Sequence, residues 1–201
     1  EPPATKRHVW RVPSPITARR TLPVAANVLD RNFDVAAPDT VWTADISYVW
    51  TFEGWLYMAV VMDLYSRQIV VWAMDKRMKK QLVMDALAMA YWKRKPLKGL
   101  LHHSDRGSQY ACHDYQKQLM NYGMIPSMSR KGNCWDNAPT ERFFRSLKSE
   151  WLTGLRFFTR NEAKNEILDY ITFYNSIRLH STLGYLSPMA YEKEHCLKKI
   201  A

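Results

Sequence analysis

The apolar positions change period along the chain, and the changes mark out the elements. Thr40 to Trp50 is rich in Val, Thr, Tyr, Trp and Ile and ends at Glu53-Gly54, which predicts a strand and a hairpin turn. Trp55 to Leu64 is almost continuously apolar, as a strand covered on both faces would be. Arg67 to Met74 follows a tight turn at Tyr65-Ser66, so the first three strands read as an antiparallel meander. The spacing then becomes helical. Leu82, Val83, Ala86, Leu87, Met89, Ala90 and Trp92 predict a helix over 79–94 that Pro96 ends. A short strand over 99–103, a helix over 108–121 and a fifth strand over 124–128 come next. After a polar loop, 129–137, a helix is expected from Ala138 to about Leu152, with Asp136 or Asn137 as its cap and Pro139 in its first turn. A last helix spans about 161–176. The order βββ-α-β-α-β-α predicts an α/β fold, a mixed five-stranded sheet flanked by helices.

Three segments are expected: a Pro-rich basic N-terminal arm (1–38), a catalytic core (39–155) and a C-terminal helical tail (156–201). Six prolines in the arm oppose long helices or strands, although 24–31 could take a short helical turn. The N-terminal stretch has no apolar h-region, which argues against a signal peptide, and the first residue is not Met, which suggests that more chain lies upstream.

Composition adds a partner. The 201 residues carry a net charge of +10, which points to a polyanion, nucleic acid first and a membrane surface second. The longest apolar run is too short to span a bilayer, so no membrane role is expected. Cys112, Cys134 and Cys196 are odd in number and widely spaced, which excludes a disulfide framework and a zinc site as expectations and suits a reducing cytoplasm.

The chemistry rests on acids. Phosphodiester chemistry with paired divalent metals needs carboxylates converging from different elements. Asp45 lies inside the first strand, where an acid is costly unless it is paired or bound to metal. Asp105 lies just past the fourth strand, where α/β sites tend to form. Glu141 lies in the first turn of the third helix. Each has a plainer reading: Asp45 as an acid paired with Arg, Glu141 as an acid favoured by the helix dipole. Asp63 is a rival ligand, more simply read as a turn acid bonding backbone near Ser66. His102 and His103 point to opposite faces of a strand and cannot easily share one ion.

Thirty-five residues separate Asp105 from Glu141. With Trp42 to Tyr48, Gly54 to Tyr57, Asp63 to Arg67, His102 to Tyr110, Ser127 to Pro139 and the tail from Tyr174 to Pro188, the chain resembles the bacterial insertion-sequence transposases with an Asp-Asp-Glu site and a retroviral-integrase-like core. The resemblance covers about 38–191 and departs at Arg142 and Trp135, neither a ligand position. It implies an RNase H-like fold and cleavage followed by strand transfer at the element's ends. Asp45, Asp105 and Glu141 carry over as ligands of Mg²⁺, two ions with Mn²⁺ as a substitute. Lys148 carries over as a DNA contact near the site, and Arg145 shares its helix face. Arg130 and Lys131, in the loop before Glu141, are further DNA-binding candidates, and Trp135 is a candidate for stacking on an unpaired base. The implied partners are double-stranded DNA, at both element ends and target, and further copies of the chain. A separate helix-turn-helix DNA-binding domain is also expected, and the place of action would be the bacterial cytoplasm, at the nucleoid. The rival readings are a nuclease on the same fold and a non-catalytic DNA-binding fragment.

Overall fold

A computed structural model describes residues 22–198. The basic positions of the arm before residue 22 therefore lie outside the described residues. The remainder of the arm forms no helix over 24–31. It runs beside the fifth strand instead: Met128 N donates to Ala26 O at 3.2 Å, and the Val28 and Leu29 amides donate to Ser127 Oγ.

The predicted elements are present, and the tail adds a helix, Pro188–Lys198, beyond the one expected to be last. They are β1 (Val41–Thr51), β2 (Gly54–Asp63), β3 (Ile69–Asp75), α1 (Lys80–Arg94), β4 (Leu101–Ser104), α2 (His113–Asn121), β5 (Ile125–Met128), α3 (Ala138–Ser146), α4 (Arg160–Ser176) and α5 (Pro188–Lys198). The sheet order is β3-β2-β1-β4-β5. β1, β2 and β3 pair antiparallel, while β4 lies parallel to β1 and β5 parallel to β4. Gly54 closes the β1–β2 turn at φ +101°, which a side chain would strain. The helix α2 starts five residues later than its pattern suggests, because Tyr110 N and Ala111 N first bond back to Gly107 O in a turn.

Strand period sorts the core into two layers. Trp42 and Ala44 of β1, with Ala59 and Val61 of β2, pack under α1 and α2. Leu56, Met58, Val60 and Met62 of β2 face the other way, onto α3 and α4. The segment beyond residue 155 thus supplies α4, which completes with α3 one of the two helical layers. Thr159 and Glu162 form a capping box at the start of α4. Near its end, Asn175 both accepts from Ile69 N (2.9 Å) and donates to Ile69 O (3.0 Å), closing part of the β3 edge. The basic residues flanking α1 are partly committed inside the fold. Lys93 Nζ donates to Val70 O, Arg94 pairs with Glu192 of α5, and Lys80 pairs with Asp114.

After Ser146 the helix α3 widens into a π-helical turn, Leu147–Leu152. A continuous α-helix to Leu152 was the expectation from the pattern. Wide turns of this kind are frequent at functional sites, and this one carries Lys148.

Candidate active site

Register brings the first two acids together. β4 is four residues long and pairs with β1 only from Val41 to Ala44, the last partners being Ala44 and Ser104. Asp45 and Asp105 are the next residue on each of two adjacent parallel strands, both at the carboxyl end of β4. The third acid arrives on α3. Asn137 Nδ2 donates to Ala44 O (3.2 Å), and Thr140 Oγ1 donates to Thr43 Oγ1 (2.7 Å). These two bonds dock the start of α3 against the strand residues just before Asp45, and Glu141 is next on the helix.

The electrostatics register the same convergence. Asp45 is half-buried, and burial pushes its carboxyl up to about 7, with the charge of Asp105 next in effect and that of Glu141 also contributing. Glu141 is raised by burial and by Asp105, against a lowering from Arg145. Asp105 is raised, with burial the leading cause, and its Oδ1 accepts from Gly107 N at 2.9 Å. A Cβ at Gly107 would sit 2.9 Å from that same oxygen, so a side chain there would displace the Asp105 carboxylate. Carboxylates near enough for Asp105 to raise both Asp45 and Glu141 suit a hard cation with oxygen ligands. Among the described residues no three Asp, Glu, His or Cys side chains are close enough together to hold one metal ion.

A groove of about 560 Å³ opens at this point, with Asp45, Glu141, Arg145 and Lys148 in its walls. Lys148 also lies over the Tyr48 ring, 5.2 Å from its centroid. Arg130 and Lys131 do not line the groove. The Arg130 guanidinium is held by Asp136, at 3.0 and 2.8 Å, and pairs with Asp30, while Lys131 is exposed.

Asp136 does not cap α3, and Asn137, which occupies the cap position, makes no side-chain cap bond. The Asp136 carboxylate is instead a buried hub. It accepts from the Arg130 backbone and side chain, from Arg31 Nε and from Asn27 Nδ2, and so ties the loop before α3 to the arm. These donors, Arg130 foremost, hold it well below the usual carboxylate range. An Asp136→Asn variant is expected to lose about 1–3 kcal/mol at pH 7, at the modest end because Arg31 and Arg130 are nearly half exposed and can re-solvate. A depressed folded-state pKa contributes stability above the unfolded value near 4, lost as pH falls through the folded value. Urea melts of both proteins should therefore differ most at neutral pH and converge as pH drops below about 4; a constant difference would show that the charge is not involved.

The remaining candidates are accounted for structurally. Asp63 is buried and accepts from the backbone of Asp39, Tyr65 and Ser66, the turn role expected of it. His102 bonds Tyr115, and His103 bridges Ser127 and Ser129; burial lowers both histidines, to about 3 and about 4. Nothing in the pattern around Tyr110 gives it a role. Its hydroxyl is buried without a hydrogen-bond partner among the described residues, close enough to Asp45 and Asp105 to feel both charges. Thr43, Thr140 and Asn137 were likewise not singled out as positioning groups, since nothing in their spacing shows that a strand and a helix a hundred residues apart will meet.

Comparison with known proteins agrees with this architecture. Two family profiles, each described as "Integrase core domain", match residues 35–134 and 141–195. The chain is 49% identical over 179 residues to an insertion element IS600 protein of 31 kDa from Shigella sonnei, covering 89% of this chain and 66% of that one. It is 45% identical over 184 residues to transposase InsF for insertion sequence IS3A of Escherichia coli K12, covering 90% and 64%. The chain thus spans just under two thirds of the length of these curated relatives. Among solved structures, the integrase catalytic core domain of HTLV-2, determined with magnesium, superposes with a TM-score of 0.61 at 14% identity, covering 78% of this chain and 97% of that one. A chain of the simian T-cell lymphotropic virus intasome in complex with PP2A regulatory subunit B56 gamma gives 0.67 at 15% identity, covering 86% and 59%. At these identities the solved structures establish the fold alone, which is the RNase H-like fold of integrase cores. The matched profiles span both the strands that carry the two aspartates and the helix that carries the glutamate, and the chain belongs to the integrase core domain family, with bacterial insertion-sequence transposases among its relatives.

Proposed function

We propose that this chain is the catalytic core of a DNA transposase, which cleaves at the ends of an insertion sequence and joins the freed 3′ ends to target DNA. The supporting observation is the meeting of Asp45, Asp105 and Glu141 from two adjacent strands and a docked helix, with their charges coupled. These three side chains would hold Mg²⁺, as two ions, or Mn²⁺ in its place. Bound there, the metal would supply Lewis-acid polarisation of the scissile phosphate and activation of the attacking water or 3′-hydroxyl.

The chain's own residues do the rest. β1 and β4 hold the two aspartates on a rigid sheet, and the Thr43–Thr140 and Asn137–Ala44 bonds fix Glu141 opposite them. Arg145 and Lys148 line the groove beside Glu141 and are placed to take DNA phosphates. Lys131 is an exposed cation for the same strand, whereas Arg130 serves first to brace the loop through Asp136.

The substrate is double-stranded DNA, at both the element's ends and the target. The chain works as a homo-multimer on paired ends, with a helix-turn-helix region supplying end recognition. In a bacterial host it acts in the cytoplasm, at the nucleoid. Residues 39–155 form the catalytic core and 156–201 its helical complement, with 1–38 an arm.

The test is strand transfer in Mg²⁺ or Mn²⁺, from a precut labelled oligonucleotide carrying the element's end into a supercoiled target. Joined product is expected. Cleavage without joining would instead mark a nuclease of the same fold. A proton competes with the metal for Asp45, whose carboxyl titrates near 7 in the free site. The Mg²⁺ concentration for half-maximal joining should therefore fall as pH is raised from 6 to 8. A rise over that range would show that the Asp45 proton does not compete.

A further inference from the structure

The catalytic groove does not end at Lys148. β4 stops pairing at Ala44, so β1 runs on to Thr51 with β2 on one side and an open edge on the other. A second hollow of about 430 Å³ continues along that edge, and Lys148 lines both. β1 contributes Asp45, Ile46 and Ser47 to the first and Tyr48, Val49 and Trp50 to the second. The far end is closed where Phe52 N donates to Phe157 O at 2.9 Å.

The residues of this second hollow differ from those of an ordinary surface. Tyr48, Trp50 and Phe52 are 51%, 56% and 64% exposed, although large aromatic side chains gain by burial. They are nevertheless held. Trp55 meets both Tyr48 and Trp50 edge-to-face, each with centroids 4.9 Å apart, and Phe52 stacks on Phe158 at 5.3 Å. The cations Lys148 and Arg156 lie in the same lining, and no carboxylate does.

We infer that this open edge of β1 is a seat for an unpaired DNA strand leaving the catalytic groove, with nucleobases stacked on Tyr48, Trp50 and Phe52 and phosphates on Lys148 and Arg156. Exposed rings beside cations are what binders of single strands offer, because every base has a face to stack while the backbone needs positive charge. A duplex keeps its base faces in its own stack and has nothing to lay on these rings. A second copy of the chain, meeting this patch with its own across a two-fold axis, would bring like cations together. Continuity with the groove favours the strand, and to that extent the inference rests on the transposase reading.

Binding is measured separately from chemistry. Fluorescein-labelled dT12 is titrated with the full chain in EDTA at low salt and followed by anisotropy, beside a 12-base-pair duplex. Trp50→Ala should weaken dT12 binding by about fivefold or more, the order of one lost stacking platform, while Trp50→Phe stays within about twofold of the wild type. Duplex binding should change less than about twofold in both. Circular dichroism checks that the variants fold, which the exposure of Trp50 favours. The inference is overturned if wild-type chain does not bind dT12, or if Trp50→Ala leaves dT12 binding unchanged or weakens duplex equally. It is also overturned if Trp50→Ala converts a dimer to monomer in sedimentation velocity, which would assign the rings to a chain–chain contact. With metal absent, this result stands whether or not strand transfer is ever observed, and the reverse also holds.

Discussion

Glu141→Gln is expected to lower strand transfer by at least about a thousandfold while leaving the fold and DNA binding intact. A catalytic metal contributes several kcal/mol of transition-state stabilisation, and each 1.36 kcal/mol is about tenfold in rate. The substitution keeps shape and removes only the charge. Glu141 is exposed at the start of α3 and makes no hydrogen bond that holds the helix; Asn137 and Thr140 do that. Its removal should even relax the site slightly, since the charges of Asp105 and Glu141 repel. Asp45→Asn and Asp105→Asn should act alike on joining. The measurement is product yield from the precut end, with duplex affinity and melting temperature as controls. Activity within tenfold of wild type in any one of the three would sink the assignment of that acid. A loss of activity accompanied by a large fall in melting temperature would point to a structural role instead.

Phe143→Ala is expected to be strongly destabilising although it lies outside the acid triad. Phe143 is 1% exposed and lies between the rings of Phe144, Tyr170 and Tyr174 at 5.3, 5.9 and 4.9 Å. Losing such a side chain costs about 3–5 kcal/mol in transfer and cavity terms. For a chain of this length that is roughly 6–20 °C of melting temperature. The functional consequence follows from position. Phe143 sits two residues after Glu141 and couples α3 to α4, so its loss should also reduce joining through misplacement of the glutamate. Phe143→Leu refills part of the space and should recover much of both. A melting temperature within about 2 °C of wild type for Phe143→Ala would mean that α4 does not hold α3.

The tail shows how a pattern can be visible while its purpose is not. Tyr174, Asn175 and Arg178 stand out in the sequence, but only packing shows that Tyr174 meets Phe143, Asn175 closes the edge of β3, and Arg178 pairs with Glu150 in the π-helical turn behind Lys148. Each contact spans between twenty-eight and a hundred and six residues of chain. No local period encodes such a distance.

What the sequence by itself determined was the order and kind of elements, the place of each acid on its element, and the family. Strand and helix periods are local properties of neighbouring residues, and a turn glycine such as Gly54 is written within a few positions, so these were legible. The stretches around Asp45, Asp105 and Glu141 carried the family resemblance for the same reason, since each is a run of neighbouring residues. Tertiary structure alone decided the rest. The short β4 left the edge of β1 open, the parallel register set Asp45 beside Asp105, and Asp136 became a hub for the arm rather than a helix cap. It also widened α3 into a π-helical turn at Lys148. Those outcomes depend on which buried donors, acceptors and rings find partners across the fold, and that competition is settled only when distant segments pack.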